Sequence, residues 1–129
     1  MSIALSTTLR TSFGDAVERT RKALAAQGFG VLTEIDMQAT LKAKLGEDME
    51  PYLILGACNP PLAHQALQAE LEIGLMLPCN VIVYEADSGK TIVSAIDPTQ
   101  TMASVGNPKL KELAEAVREK LARALSRLA

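Results

Sequence analysis

Two cysteines and a single histidine are the side chains of this sequence with the most distinctive chemistry. Cys58 lies in the segment Ala-Cys-Asn-Pro at 57–60, Cys79 lies in Leu-Pro-Cys-Asn at 77–80, and His64 is the only imidazole. A thiolate acts as a nucleophile or as a ligand of soft metals, and an imidazole moves protons near neutral pH. The residues therefore allow thiol chemistry, and any catalytic triad would have to use His64.

The position of Cys58 predicts that its thiol ionises more readily than a free one. The apolar run 52–57 predicts a central strand covered on both faces, and Asn59 followed by proline predicts the N-cap of a helix. Backbone N–H groups and the helix dipole favour negative charge at such a junction. Cys79 stands at the start of the next strand. If the two strands are neighbours, both sulfur atoms face one pocket.

The candidate site therefore comprises Cys58, Asn59, His64, Cys79 and Glu85, with His64 about one turn into the helix. Two interpretations of the thiols stay open, because small buried cysteines are also common packing residues. The first is inert core cysteines, and the second is a functional thiol at one or both positions.

Metal binding is a further interpretation of the same residues. The spacing of Cys58, His64 and Cys79 matches no standard zinc pattern, and no fourth ligand is evident, so we expect no structural metal. A site for a soft metal stays open as a minor alternative. No cofactor is predicted. The segment Ser-Gly-Lys-Thr at 88–91 resembles the end of a P-loop, but Tyr84 stands where that motif requires glycine.

The elements that must position these residues alternate between strands and helices. Hydrophobic periodicity and capping residues predict the order βαβαβαββα. The predicted strands are 3–8, 29–35, 52–57, 80–86 and 91–96. The predicted helices begin at the caps Ser12, Asp36, Asn59 and Asn107, and the first three end at Gly28, Gly46 and Gly74, with an apolar loop at 75–78 and a second loop at 99–106. The hairpin turn at 87–90 indicates a mixed or antiparallel sheet, and hence an α+β fold.

Length and composition limit the classes of function that the protein can have. The 129 residues predict one domain spanning 1–129, and 48% hydrophobic with 22% charged residues is typical of a globular protein. A net charge of −2 and only 3% aromatic residues argue against nucleic acid as a partner. No apolar run is long enough to span a bilayer, and the N-terminus lacks a secretory signal. We therefore expect a cytoplasmic protein with reduced thiols and no membrane partner.

The same segments resemble a known family over nearly the whole chain. The pair of motifs Gly-Ala-Cys-Asn-Pro at 56–60 and Leu-Pro-Cys-Asn-Val at 77–81 is specific in combination. Together with the residues between and around them, it is similar to domain-of-unknown-function family 302. The further matching positions are Gly28, Phe29, Lys44, Leu45, Gly46, Tyr52, Ile54, Leu55, Ala63, Ala66, Leu67, Gly74, Leu75, 83–85, Asp97 and Pro98.

This resemblance implies a fold but no established activity. It implies a compact α+β domain of the TATA-binding-protein-like group, in which helices pack mainly on one side of a bent sheet of about five strands, and it suggests a homodimer. Some relatives stand beside or are fused to sulfur-transfer domains. We therefore expect a small homodimeric module that binds a small-molecule ligand or serves as an accessory protein, rather than an enzyme. The alternative is a sulfur-carrier or redox protein that uses Cys58, Cys79 or both.

Overall fold

The segments with alternating or clustered apolar residues pair into one sheet, and the amphipathic segments form helices. In the computed structural model, which describes residues 3–128, the strands are β1 (Ala4–Leu9), β2 (Gly30–Asp36), β3 (Tyr52–Cys58), β4 (Cys79–Asp87) and β5 (Lys90–Ile96). The helices are α1 (Phe13–Ala26), α2 (Met37–Leu45), α3 (Pro60–Ala69), α4 (Pro98–Thr101) and α5 (Pro108–Ser126). Two 3-10 helices cover Leu71–Met76 and Ala103–Val105. The predicted domain also included Met1, Ser2 and Ala129, which lie outside the described residues.

The sheet has the order β1-β5-β4-β3-β2, and every neighbouring pair is antiparallel. This confirms the predicted α+β single domain. Of the two predicted sheet types, mixed and antiparallel, the structure has the antiparallel one. β3 and β4 are neighbours although α3 and a 3-10 helix separate them in sequence. The two segments that carry the cysteines therefore lie side by side near the centre of the sheet.

One face of the sheet carries the main core. Leu55, Val81, Val83 and Val93 point to this face and are fully buried. Helices α1 and α5 contact each other and pack against β4, β5 and β1, and Leu24 and Leu121 bring their apolar stripes into the core. Burial of a side chain of this size contributes roughly 1.5–3 kcal/mol to the free energy of folding. A smaller cluster joins α3 to the first half of α5.

The opposite face of the sheet, called the second face below, is less covered. Tyr52 and Tyr84 stack across β3 and β4 with ring centroids 5.4 Å apart. The isoleucines of the same face in β3, β4 and β5 are half-buried, and Ile35 in the edge strand β2 is 45% exposed. The helices thus lie mainly on one side, as expected, and leave a second face that mixes apolar and uncharged polar side chains.

Two connections differ from the sequence-based prediction. The helix that starts at Asn59 ends at Ala69 rather than at Gly74, because Glu70 adopts extended backbone and its carboxylate accepts from the Glu72 N–H, which starts the first 3-10 helix. The predicted loop at 99–106 contains most of α4 and the second 3-10 helix. Here Asp97 caps the short helix α4, which begins at Pro98. The Asp-Pro pair had been interpreted only as the end of a strand. Within residues 3–128, no helix combines the length and apolarity needed to cross a membrane.

Candidate functional site

The junction between β3 and α3 is held by the side chain of Asn59. Its Oδ1 accepts from the Leu62 N–H at 3.4 Å and caps α3, while its Nδ2 donates to the Gln27 carbonyl oxygen at 3.4 Å. Gly28 has φ +84°, and a Cβ added there would lie 3.1 Å from the Asn59 Nδ2. Glycine thus lets the end of α1 approach the start of α3 closely. Both polar side-chain atoms of Asn59 are therefore engaged in hydrogen bonds within the protein. These bonds fix the backbone that follows Cys58.

Pairing of β3 with β4 places the two cysteines beside each other. Cys79 is the direct partner of Ala57, the residue before Cys58. Directly paired Cα atoms in an antiparallel sheet lie roughly 4.5–5.5 Å apart. The peptide bond before Pro78 is cis, and the ring packs so closely on β3 that a Cβ at Gly56 would lie 2.8 Å from its Cγ. The chain thus passes from Pro78 into Cys79 in contact with the strand that carries Cys58.

Both cysteine residues line one small cavity, called the thiol cavity below. Because side chains alternate along a strand, the Cys58 side chain points away from the face that Ala57 and Cys79 share. The volume of the cavity is about 30 Å³, which holds one or two water-sized atoms. Its walls come from β3, the first turns of α3, the segment before β4 and the middle of α5, and they are almost wholly apolar. Among residues 3–128, every buried side-chain nitrogen or oxygen has a hydrogen-bond partner. The described residues therefore leave no unsatisfied polar atom in this cavity that would demand a polar ligand.

The two thiols differ in exposure. Cys79 is buried and Cys58 is half-buried, and no disulfide joins them. Burial, and to a smaller extent the neighbouring Cys58, raise the pKa of the Cys79 thiol from 9.0 to about 11. Cys79 is therefore a neutral thiol at physiological pH. Because the thiolate is the nucleophile, the buried Cys79 is poorly suited to nucleophilic chemistry.

His64 and Glu85 lie away from the thiol cavity. His64 is on the solvent side of α3 and is exposed. Glu85 is six residues beyond Cys79 along β4, which is roughly 20 Å at the rise of a strand, and its N–H donates to the Pro51 carbonyl oxygen at 3.1 Å. The structure thus brings together Cys58, Asn59 and Cys79 from the predicted set and leaves the other two apart. Within the described residues, no three His, Cys, Asp or Glu side chains are grouped as metal ligands.

A larger groove lies directly behind the thiol cavity. It has a volume of about 520 Å³ and runs along the first two turns of α5; its lining residues are Thr99, Met102, Ala103, Gly106, Asn107, Pro108, Lys111, Ala114 and Glu115. This surface is called the α5 groove below. Met102 and Ala114 line both the groove and the thiol cavity, so these two buried side chains form a shared wall.

Asp97 fixes one side of the α5 groove. Its Oδ1 accepts from the backbone N–H and the hydroxyl of Thr99 at 3.0 and 2.6 Å, and its Oδ2 accepts from the Arg118 Nε at 3.0 Å. Burial alone would raise the pKa of this carboxyl, but the hydrogen bonds from Thr99 and Arg118 outweigh burial and hold the pKa below its usual range. The ionised carboxylate therefore joins the turn that carries Thr99 to α5.

Comparison with known families and structures shows to which family the chain is related. Residues 5–128 match the domain of unknown function DUF302. The chain belongs to the DUF302 family. A crystal structure of an uncharacterized conserved DUF302 protein from Bacillus stearothermophilus is similar at a TM-score of 0.91 and 32% sequence identity, with 100% of each chain covered. No curated protein matches the sequence. The relation to the TATA-binding-protein-like folds stays a prediction.

In this DUF302 protein, sequence reasoning found the two thiols and missed the side chains behind them. Met102 and Thr99 lie in a segment that the sequence analysis treated as a loop. A methionine between two polar stretches carries no signal of its own, because its role depends on how α4 packs against α5. The buried Asp97 could have been suspected, since an Asp-Pro pair followed by threonine is typical of a capped turn.

Proposed function

We propose that this protein is a non-catalytic module that binds a small organic molecule in the α5 groove. The observation that carries the proposal is the size and position of the groove. Its volume of about 520 Å³ is within the range of sites for small molecules, and it shares a wall with the cavity that both cysteine residues line. The thiol cavity itself is too small for an organic ligand. The predicted ligand site therefore moves from the thiols to the groove beside them.

The lining of the groove favours a ligand without net charge. Met102, Ala103 and Pro108 offer apolar surface. Lys111 and Glu115 stand four residues apart on α5 and carry opposite charges, so they create little net field. A neutral or zwitterionic molecule with an apolar body fits these features.

The test uses N-phenyl-1-naphthylamine, a neutral apolar fluorophore, as the probe. Ala103 is exposed and lines the groove, and its neighbour Ser104 is exposed without lining it. We expect saturable binding of one probe per chain, lost in Ala103→Trp because the indole fills the groove, and kept in the matched control Ser104→Trp. Equal binding by the two variants, or no saturable binding to the wild type, contradicts the proposal.

The second candidate function is a sulfur carrier, favoured by the half-buried Cys58 at the junction of β3 and α3, beside Cys79. In this reaction a persulfide donor RSSH and the Cys58 thiol exchange the outer sulfur, which yields RSH and Cys58-SSH without any external oxidant. This function presupposes the reducing cytoplasm predicted from the sequence.

Mass spectrometry distinguishes the carrier from the binding module. After incubation of reduced protein with glutathione persulfide, we expect one added sulfur on the peptide that contains Cys58, also in the Cys79→Ser variant. A Cys58→Ser protein should gain none. If the wild type gains no sulfur on that peptide, the carrier function is wrong, whereas binding of the naphthylamine probe is unaffected by this result.

We further propose a homodimer formed through the second face of the sheet. The central side chains of this face carry no formal charge, and Lys90 lies on the same face at the end of β5; the central residues are Ser6, Thr8, Thr33, Ile35, Tyr52, Ile54, Asn80, Ile82, Tyr84, Ile92 and Ser94. Five strands about 4.8 Å apart give a surface of roughly 24 by 20 Å. This plan area is more than half of the ~800 Å² that each partner buries in a standard interface, and the uncharged centres of two such faces meet without like-charge repulsion.

Light scattering on a sizing column tests the dimer. We expect twice the chain mass of 13.8 kDa for the wild type. Ile35→Lys should give a monomer because it places a charge on the second face, whereas Leu45→Lys, at a 68% exposed position of α2, should stay dimeric. A monomeric wild type, or an Ile35→Lys protein that remains dimeric, contradicts the second face as the interface.

A further inference from the structure

The two edge strands of the sheet, β1 and β2, differ in how well they are protected against a further strand. An edge strand presents backbone N–H and C=O groups with which another chain can pair, and bulges and charged residues discourage such pairing. β2 has a bulge between Val31 and Thr33 and carries Glu34 and Asp36. β1 pairs with β5 at six consecutive positions without a shift, and its sequence contains no charged residue and no proline. Of the two edges, only that of β1 lacks this protection.

The backbone groups of β1 that point outward follow from one hydrogen bond at its start. The Asp97 N–H donates to the Ile3 carbonyl oxygen at 2.7 Å, one position beyond the pair of Ala4 with Ile96. Bonded and non-bonded pairs alternate in an antiparallel ladder, so every second residue after Ile3 bonds to β5. The residues between them direct their N–H and C=O groups away from the sheet; they are Ala4, Ser6 and Thr8. Among residues 3–128, no strand pairs with this outer side, called the β1 edge below.

A groove of about 290 Å³ lies beside the β1 edge, between β1 and the last turns of α5. It is called the β1 groove below, and its lining residues are Leu5, Ser6, Thr7, Ala122, Leu125 and Ser126. Leu5 and Thr7 lie on the face that α5 covers, since their partners Ala95 and Val93 are buried in the core. Because side chains alternate along a strand, every second side chain of a strand added to β1 lies over this groove. An extended segment therefore finds both backbone partners and space for its side chains.

Helix α5 runs alongside β1 in the same direction. Arg118 of α5 bonds to Asp97, whose N–H donates to Ile3 at the start of β1. The following turns of α5 line the β1 groove, and Leu128 belongs to the same buried cluster as Leu9, the last residue of β1. The C-terminal ends of β1 and α5 therefore lie at the same end of the groove.

Two arginines make this end of the β1 groove positive. Arg10 directly follows β1, Arg127 directly follows α5, and both are exposed. The nearby Arg123 is neutralised by an ion pair with Glu119. Within residues 3–128, no Asp or Glu side chain forms an ion pair with Arg10 or Arg127. The positive charge of this end is thus complementary to carboxylates on a bound segment.

We propose that the β1 edge binds an extended peptide segment of a partner protein, with carboxylates at the N-terminal end of the segment and apolar side chains at alternate positions. The outward backbone groups of β1 supply the main-chain hydrogen bonds, and the alternate side chains enter the β1 groove. Every strand pair of the sheet is antiparallel. The same pairing places the N-terminal end of the segment at the end of β1, beside Arg10 and Arg127. The α5 groove borders the first turns of α5 instead, so this site does not depend on the ligand proposed there.

The experiment measures fluorescence anisotropy of a labelled synthetic peptide, Glu-Glu-Thr-Val-Thr-Val-Thr. We expect saturable binding of one peptide per chain. Ser6→Pro should weaken the affinity at least about 10-fold, because it removes an outward N–H group from a strand edge that tolerates proline. Ser6→Ala is the matched control: it also removes the hydroxyl that bonds to Ser94, but it keeps the N–H and should keep the wild-type affinity.

A second pair of variants tests the recognition of carboxylates. Arg127→Ala should weaken the affinity roughly 2- to 5-fold, as expected for one exposed charge pair. Lys44→Ala removes one positive charge from an exposed position of α2 and should leave the affinity unchanged. The peptide with lysine in place of both glutamates should bind more weakly than the original peptide. Unchanged affinity in Arg127→Ala contradicts the acidic end of the partner segment.

Hydrogen exchange of the wild type keeps the inference testable if Ser6→Pro does not fold. The bound peptide should slow exchange of the amide hydrogens of Ser6 and Thr8 and leave that of Thr33 in β2 unchanged. The proposal is overturned by absence of saturable binding, by protection of β2 instead of β1, or by equal affinities of Ser6→Pro and Ser6→Ala. If light scattering shows that Ser6→Pro lowers the mass of the assembly and Ser6→Ala does not, a second copy of the chain occupies the β1 edge, and the peptide proposal is wrong.

Discussion

The raised pKa of Cys79 predicts a specific loss of stability at alkaline pH. In the unfolded chain the thiol ionises with a pKa near 9.0, whereas in the folded protein the pKa is about 11 because the side chain is buried. The folded state therefore holds its proton over a pH range in which the unfolded state has released it. Stability is unaffected by this thiol below pH 9 and falls as the pH rises from 9 through 11.

The size of the loss follows from the two pKa values. A difference of two units corresponds to about 2.7 kcal/mol once the pH exceeds both values, and to about 1.4 kcal/mol at pH 10. Other groups also titrate in this range, so the useful quantity is the difference in free energy of unfolding between the wild type and Cys79→Ala. We expect this difference to shift by about 1.4 kcal/mol against the wild type between pH 7.5 and pH 10.

Urea unfolding followed by circular dichroism, with a reductant present, measures this difference at each pH. A second comparison separates the two causes. In a Cys58→Ser background most of the shift should remain, because burial is the larger cause and the charge of Cys58 the smaller. If the difference between wild type and Cys79→Ala is the same at pH 7.5 and pH 10, the burial argument is refuted, and Cys79 is available as a nucleophile.

Three further substitutions test the scaffold around the site. Gly56→Ala should destabilise the fold by about 1–3 kcal/mol because its Cβ overlaps the Thr33 hydroxyl, and Thr33→Ala should restore part of the loss in a double-mutant cycle by urea unfolding. Asp97→Asn should cost about 1–3 kcal/mol at neutral pH, since it weakens the bond to Arg118. Because the pKa of Asp97 is lowered, the wild type should lose this advantage on acidification, so equal acid profiles of the two proteins contradict the assignment. Asn59→Ala should lower the melting temperature through a cost of about 1 kcal/mol, and an unchanged melting temperature excludes its role as a cap.

The local signals of the sequence were sufficient for most of the fold. Ser12, Asp36, Asn59 and Asn107 each cap a helix as predicted, because capping depends only on a side chain and the three residues after it. The end of α3 could not be predicted from Gly74. The chain leaves the helix earlier, at Glu70, where a bond from its carboxylate competes with continuation of the helix.

The site was predictable only to the extent that it depends on strand pairing. Cys58 and Cys79 were expected to converge if their strands were neighbours, and the register of β3 with β4 makes them so. His64 was included because its position along α3 was known but its direction was not; a shift of one or two residues along a helix turns a side chain from the core to solvent. Met102 depends on contacts between α4 and α5, which are distant from any pattern in the sequence around it.

Antiparallel pairing of β3 with β4 has a dynamic consequence for the two thiols. They lie at adjoining ends of the inner strands β3 and β4, where Cys79 pairs with Ala57 and Cys58 pairs with Gly30 of β2. Strand ends open locally at a lower free energy than the middle of a sheet, so we expect the amide hydrogens of Cys58 and Cys79 to exchange with deuterium sooner than those of Leu55 and Val81. Access to the sulfur atoms therefore requires only a local opening of this end of the sheet.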